Sequence, residues 1–269
     1  MKHFFRTDAR PSAVGTLMLS LLFFVLLLGG YFAGSHYRHL ENPQDKVMPT
    51  LSEMLDGVKR SAFERDRNGE LRLWVDTAAS ARRFGLAIGV LFLAMPLGVG
   101  MGLFPYVDAL FHRFLVFFDK IPALSVLPIL FIVFGLGELS KIALIVLGVF
   151  PTVALDAYLR ARAIPREQIH KAQTLGASEH EIAYRIVLPQ IFPKMLDTLR
   201  LNLKAVMLLL IAGESLAATV GLGYRIFVVR RYVAMDIIIP YVLWMTVLLF
   251  LTDWLIQWVM RKRYAWLDQ

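Results

Sequence analysis

The sequence predicts an all-α, polytopic membrane protein with about six transmembrane helices. Three observations lead there. The 269 residues are 57% hydrophobic with a positive mean hydropathy, too apolar for an ordinary water-soluble domain. Apolar stretches near bilayer length recur along the whole chain. The 29 Lys and Arg residues, which give a net charge of +8, gather at the edges of those stretches, where anionic headgroups account for them better than nucleic acid does.

The elements follow in order. Residues 14–33 form the first span; the apolar run exceeds the roughly 7–15 residues of a cleaved signal, so it is read as a retained helix. Residues 35–83 are read as an external loop with nine Lys/Arg and eight Asp/Glu. Within it, Thr50 and Glu53 form a capping box after Pro49. Leu51, Met54, Leu55, Val58 and Phe63 then give a short amphipathic helix. The charged stretch 64–70, which includes Arg67, reads as a solvated turn. Residues 84–104 form the second span. Residues 121–137 form the third, interrupted by prolines and extended back through 114–118. Residues 142–158 form the fourth, with Asp156 near its end. Residues 205–221 and 237–259 complete the set, each carrying an acidic residue, Glu214 and Asp253.

Six spans put both termini on one side. Lys2, Arg6 and Arg10 before the first span, and Arg261, Lys262 and Arg263 after the last, place that side in the cytoplasm. The polar segment 161–190 between the fourth and fifth spans is then cytoplasmic as well. Pro165 suits a helix start, and Ile169, Ala172 and Leu175 share one narrow apolar face. Gly176 sits where a left-handed helix cap is wanted. Ser178 and Glu181 make a second capping box, and Pro189 and Pro193 punctuate the return to the membrane.

Signs of catalysis are few. The chain has no phosphate-binding G-x-x-x-x-G-K-[ST] loop, no G-x-S-x-G elbow and no H-E-x-x-H pair, and its cysteine count is zero. His36 and His39 alone do not make a metal site, so catalytic and metal-ligating residues are expected to be none. Charges within the apolar segments stand out more, because each needs a partner or a cavity. Glu214 reads either as a structural carboxylate paired with Lys204 or Arg200, or as a lining residue of a pathway. Asp253 reads as structural, and Lys120 snorkels or pairs with Asp119. Gly221-Leu222-Gly223 reads as a turn or close-packing element. Prolines 96, 122, 128 and 151 suggest irregular backbone shielded by protein or lining a cavity.

The spacing Gly176, nine residues, Ile186, one residue, Leu188-Pro189 resembles the "EAA" signature, G-x9-I-x-L-P, of the permeases of binding-protein-dependent ABC importers. The signature's Glu-Ala-Ala falls on His170, Lys171 and Ala172, so only the last alanine is kept. Residues 121–128, 134–141 and 221–224 are similar to the subfamily of nitrate, taurine, aliphatic sulfonate and pyrimidine-precursor importers. The resemblance implies a type I importer fold over a single domain, 1–269, in a bacterial inner membrane. It implies a non-enzymatic subunit, with ATP and Mg bound on a separate ATPase and no cofactor in this chain. The implied partners are two ATPase subunits docked on the 161–190 segment, a second permease copy and an external substrate-binding protein; nucleic acid is not expected. ATPase coupling would fall to His170, Lys171, Ala172, Gly176, Ile186, Leu188 and Pro189. Glu214, Ser215, Gly221 and Gly223 would stand near the substrate pathway, for a small solute such as a sulfonate, taurine or nitrate. The alternative is an ion- or proton-coupled transporter using Glu214 and Asp253.

Overall fold

The computed structural model describes residues 12–66 and 68–264, and among these all regular structure is helical. Lys2, His3, Arg6, Arg10 and Arg67 lie outside the described residues. Four helices are long and apolar enough to cross a membrane, and two further pairs qualify if each bent pair is one span, for up to six. The count matches the sequence reading, but several boundaries move.

The first helix, α1 (Ala13–Glu41), starts at Ser12, whose hydroxyl accepts the Gly15 N–H. Nearly all its side chains are exposed, and its packing within the chain is confined to its end. There Tyr31 and Ser35 donate to the carbonyls of Pro49 and Met48, and Arg38 grips Asp45 with two hydrogen bonds of 2.6 and 3.1 Å. That grip, with the Val47 and Met48 N–H groups, holds the Asp45 carboxyl down at about 2.

The helix α2 (Leu51–Ala62) carries the expected capping box: the Glu53 N–H donates to the Thr50 hydroxyl, and the Thr50 N–H to the Glu53 carboxylate. Its buried face differs from the expected one. Gly57, Ser61 and Ala62 are the buried residues, while Leu51, Leu55 and Phe63 are exposed. A side chain at Gly57 would collide with the Asp236 carbonyl of the last helix; small residues let the two backbones meet.

The second span corrects the sequence reading most. The loop assigned to 35–83 ends at residue 71, because α3 (Arg72–Leu91) includes three charged turns that the hydropathy pattern placed outside the membrane. Asp76, Ser80 and Arg83 are buried. A short break at Phe92 and Leu93 leads to α4 (Ala94–Leu103). Pro96 explains the break, since its ring would strike the carbonyl four residues back, at Phe92.

The helices α5 (Pro105–Asp119) and α6 (Ala123–Phe134) meet at an elbow of 104°. Pro122 caps α6 and disfavours a helical Ile121 before it. The helix α7 (Glu138–Arg162) runs through Asp156, which therefore does not end the fourth span; it accepts hydrogen bonds from Arg160 and Thr198 instead. This helix is the hub, with α3, α4, α5, α6 and α10 packed on it. Between helices in lipid, close approach does the work that hydrophobic burial does in water. A Cβ at Gly98 would meet Ala157 at 2.6 Å, and one at Gly102 would meet Ala161 at 2.5 Å, so α4 and α7 lie backbone to backbone.

After α7 come α8 (Arg166–Thr174) and the short α9 (Glu179–Glu181). A π-helical turn, Ile182–Val187, then runs directly into α10 (Leu188–Ala217). The expected interruption at Pro189 and Pro193 is absent. The wide turn, in which the Leu188 N–H reaches back five residues to the Ala183 carbonyl, absorbs the prolines without ending the helix. The chain breaks instead at 218–221, bends by 56°, and continues as α11 (Leu222–Val229). The last helix, α12 (Met235–Arg263), closes the bundle.

Candidate functional site

Two regions hold the residues singled out by sequence, and they are built in opposite ways. The first is the polar island of α8, α9 and the turn between them. Pro165 is the cap of α8, one position before its first turn. Gly176 has φ +81°, with the Gly176 N–H on the Gln173 carbonyl and the Ala177 N–H on the Ala172 carbonyl. A side chain is strained at that φ. Ser178 and Glu181 close their capping box at 3.1 and 3.3 Å. Along the apolar face, Ala172 is buried and Ile169 half-buried, but Leu175 is 80% exposed.

His170 and Lys171 are exposed. His170 contacts Gln173, whose amide donates to Glu179 across the turn. Ile186 and Leu188 are half-buried under the π-helical turn, and Pro189 is exposed at the start of α10. The island thus brings His170, Lys171, Ala172 and Gly176 together at one tip, and sets Ile186, Leu188 and Pro189 on the rod behind it.

The second region surrounds the break between α10 and α11. Glu214 is fully buried, and its partner is neither Lys204 nor Arg200 but Arg83 of α3, at 2.7 Å. Ser80 donates to the same carboxylate and accepts the Leu222 N–H. The Gly223 N–H donates to the other oxygen of Glu214 at 2.8 Å. Asp76 accepts the Gly221 N–H and is gripped by Arg225 and Tyr241. Three successive N–H groups at the start of α11, orphans in any helix, are therefore each satisfied by a side chain from elsewhere. Arg83 also donates to the Val220 carbonyl, and with two further bonds to Glu138, itself paired with Lys141.

The signs balance, with Asp76, Glu138 and Glu214 against Arg83, Lys141 and Arg225. A balanced, hydrogen-bonded set is what buried charge requires. Gly221, at φ +139°, leaves no room for a side chain, because a Cβ would lie 2.6 Å from the Glu214 carboxylate. Gly223 is buried likewise, while the half-buried Ser215 hydroxyl bonds back to its own helix at Ala212. The sequence reading missed Asp76, Ser80, Arg83, Glu138 and Arg225. The signal was there: 76, 80 and 83 repeat at helical spacing, a polar stripe on one face. Asp253 pairs with Arg200 at 3.4 Å and accepts from Gln257.

The comparisons with known proteins agree with this architecture. Residues 94–263 match the family described as the inner membrane component of binding-protein-dependent transport systems. The chain is 34% identical to the taurine transport system permease protein of Escherichia coli (strain K12), over 72% of this chain and 71% of that one. It is 25% identical to a candidate aliphatic sulfonates transport permease protein of Bacillus subtilis (strain 168), over 82% and 78%. It is 29% identical to the formylaminopyrimidine transport permease protein of Halalkalibacterium halodurans, over 52% and 57%. These likenesses overturn the ion-coupled alternative, and the candidate carriers Glu214 and Asp253 are both engaged in ion pairs within the chain. The chain belongs to the family of inner-membrane permease components of binding-protein-dependent ABC transport systems, and it is a substrate-translocating subunit.

Proposed function

We propose that this permease imports a small organic sulfonate or a related oxyanion, driven by ATP and Mg on separate ATPase subunits that grip the island. The observation that carries the docking is Leu175. A large apolar side chain, 80% exposed at the tip of a polar, doubly capped loop, fits a surface that is covered in the working assembly. His170 and Lys171 flank it, where the family signature has an acidic residue, so the facing groove is expected to carry acceptors or acids. Two copies of the chain would enclose the pathway, a binding protein would deliver cargo, and both termini would lie on the ATPase side. Glu214, Gly221 and Gly223 would act on the pathway by fixing the break between α10 and α11, with Ser215 beside them. The sulfonate reading rests on the likeness to the taurine and sulfonate permeases.

The test is reconstitution of the permease with its ATPase and binding protein in liposomes, with taurine and ethanesulfonate as cargo. Uptake that depends on ATP and is lost in Leu175→Asp, with the permease still correctly folded, supports the docking. ATP-driven uptake unchanged in Leu175→Asp removes it.

A further inference from the structure

The elbow between α5 and α6 carries charge that the bundle does not use. Arg113, Val116, Phe117 and Lys120 follow at i, i+3, i+4 and i+7, hence on one face of the end of α5. With His112 and Ile121 they line a cleft of about 600 Å3 that contains no carboxylate. The Lys120 side chain is 77% exposed.

The depth of Lys120 makes that exposure informative. Its neighbour Asp119 accepts the Thr152 hydroxyl at 2.8 Å. Thr152 lies in α7, about 21 Å along the axis from Glu138 and about 15 Å from Arg162 at the usual helical rise. The elbow is therefore near the middle of the spanning bundle. An exposed ammonium there cannot face acyl chains cheaply; such a group marks an aqueous pathway or a protein partner.

Local pairing leaves capacity over. One oxygen of Asp119 takes Thr152 and the other takes Lys120 at 3.1 Å. An ammonium has three donors, so this single bond leaves the others turned to the cleft. Arg113 has no ion pair or side-chain hydrogen bond among the described residues. His112 faces Asp108 at 3.5 Å and the Tyr158 ring at 4.6 Å, so the cleft presents Arg113 and, held by one bond to Asp119 alone, Lys120. Between them lie the apolar Val116 and Phe117.

We propose that this elbow is a cationic subsite of the transport pathway, where Lys120 and Arg113 receive the charged end of a small sulfonate-class anion and Val116 and Phe117 its aliphatic part. This rests on the sulfonate reading above for the cargo, but the location of the cations does not.

The absence of cysteine from the chain makes the test direct. Val116→Cys is made alone and with Lys120→Gln, in the assembled transporter in membrane fragments open on both sides. Each is labelled with a negatively charged sulfonatoethyl and a positively charged trimethylammonioethyl methanethiosulfonate. The anionic-to-cationic rate ratio should fall about three- to tenfold on loss of the lysine charge, and Lys120→Arg should keep it. No labelling at position 116 by either reagent, or a ratio indifferent to Lys120, overturns the subsite; Lys120→Met serves if the glutamine variant does not assemble. For transport, the KM for ethanesulfonate should rise about tenfold in Lys120→Gln and stay near the starting value in Lys120→Arg. An unchanged KM overturns the role in cargo recognition. A starting transporter that imports no ethanesulfonate yet shows the fall in ratio supports the cationic subsite and removes the sulfonate reading alone.

Discussion

The island and the buried ion network are both polar structures in an apolar chain, but they are held together over different distances. The capping and turn hydrogen bonds that shape the island tip join residues within six positions of each other, such as Gln173 to Glu179 or Ser178 to Glu181, with Ala172 seated on the core and Gln190 reaching Gln168 as the longer links. In the network, Arg83 and Glu214 are 131 residues apart, and Asp76 and Arg225 are 149. The island is local, exposed and preset by caps. The network exists only once five helices have met. A fault in the first should therefore cost communication and leave the fold standing, whereas a fault in the second should cost the fold.

The sharpest way to break that contrast is Arg83→Met. It strands the fully buried Glu214 and should destabilise the protein by about 3–5 kcal/mol, seen as a lower melting temperature and poor recovery as a monodisperse species. Arg83→Met with Glu214→Leu should regain much of the loss, because an apolar pair replaces an orphaned charge. Gly221→Ala is the next largest, at about 2–4 kcal/mol. It adds strain at φ +139° to a clash with the Glu214 carboxylate, and thermal unfolding should report it.

Gly176→Val tests the other side. Nothing lies within 4 Å of its added Cβ, so the penalty is backbone strain alone, about 1–2 kcal/mol and confined to the turn. The expected result is a near-normal melting temperature with ATP hydrolysis uncoupled from uptake, and Gly176→Asn should be milder. A fold as damaged as in Arg83→Met would erase the distinction between the two regions.

The smallest effect belongs to Asp45. Its folded value, about 2, is below the ordinary aspartate value near 3.9, so its contribution is complete above that ordinary value and is lost as pH falls through about 2. Pepsin cleavage of the 42–50 segment, divided at each pH by cleavage of an unfolded reference peptide, should stay constant from pH 5 to 4 and rise toward pH 2. Asp45→Asn should lack that rise.

The same contrast explains what the sequence could reveal. Capping boxes at Thr50 and Ser178 and the left-handed Gly176 were legible, because each is a rule about residues three or four apart. The spans at the chain ends were legible from hydropathy. Asp76, Ser80 and Arg83 were not, since a charged turn looks alike in water and in a bundle until its partners are known, and those partners lie on α7, α10, α11 and α12. For Glu214 the need for a cation was legible, but the choice among Arg83, Arg200 and Lys204 was not. The exposure of Leu175 was not legible for a related reason: helical spacing shows which residues share a face, and only packing shows whether that face is covered.

The first helix carries its own lesson about information. Within one copy of the chain, α1 touches its neighbours through Tyr31, Gly34, Ser35, Arg38 and His39, which meet Met48, Pro49, Asp45 and Glu53, while 14–28 is exposed almost throughout. Side chains that meet no fixed neighbour have no shape to match. The stretch 14–28 should therefore behave as a lipid-compatible filler: its residues could be shuffled into a different apolar order with little effect on the bundle, provided the length and those five docking residues are kept. For this helix, composition is the message and order is nearly free.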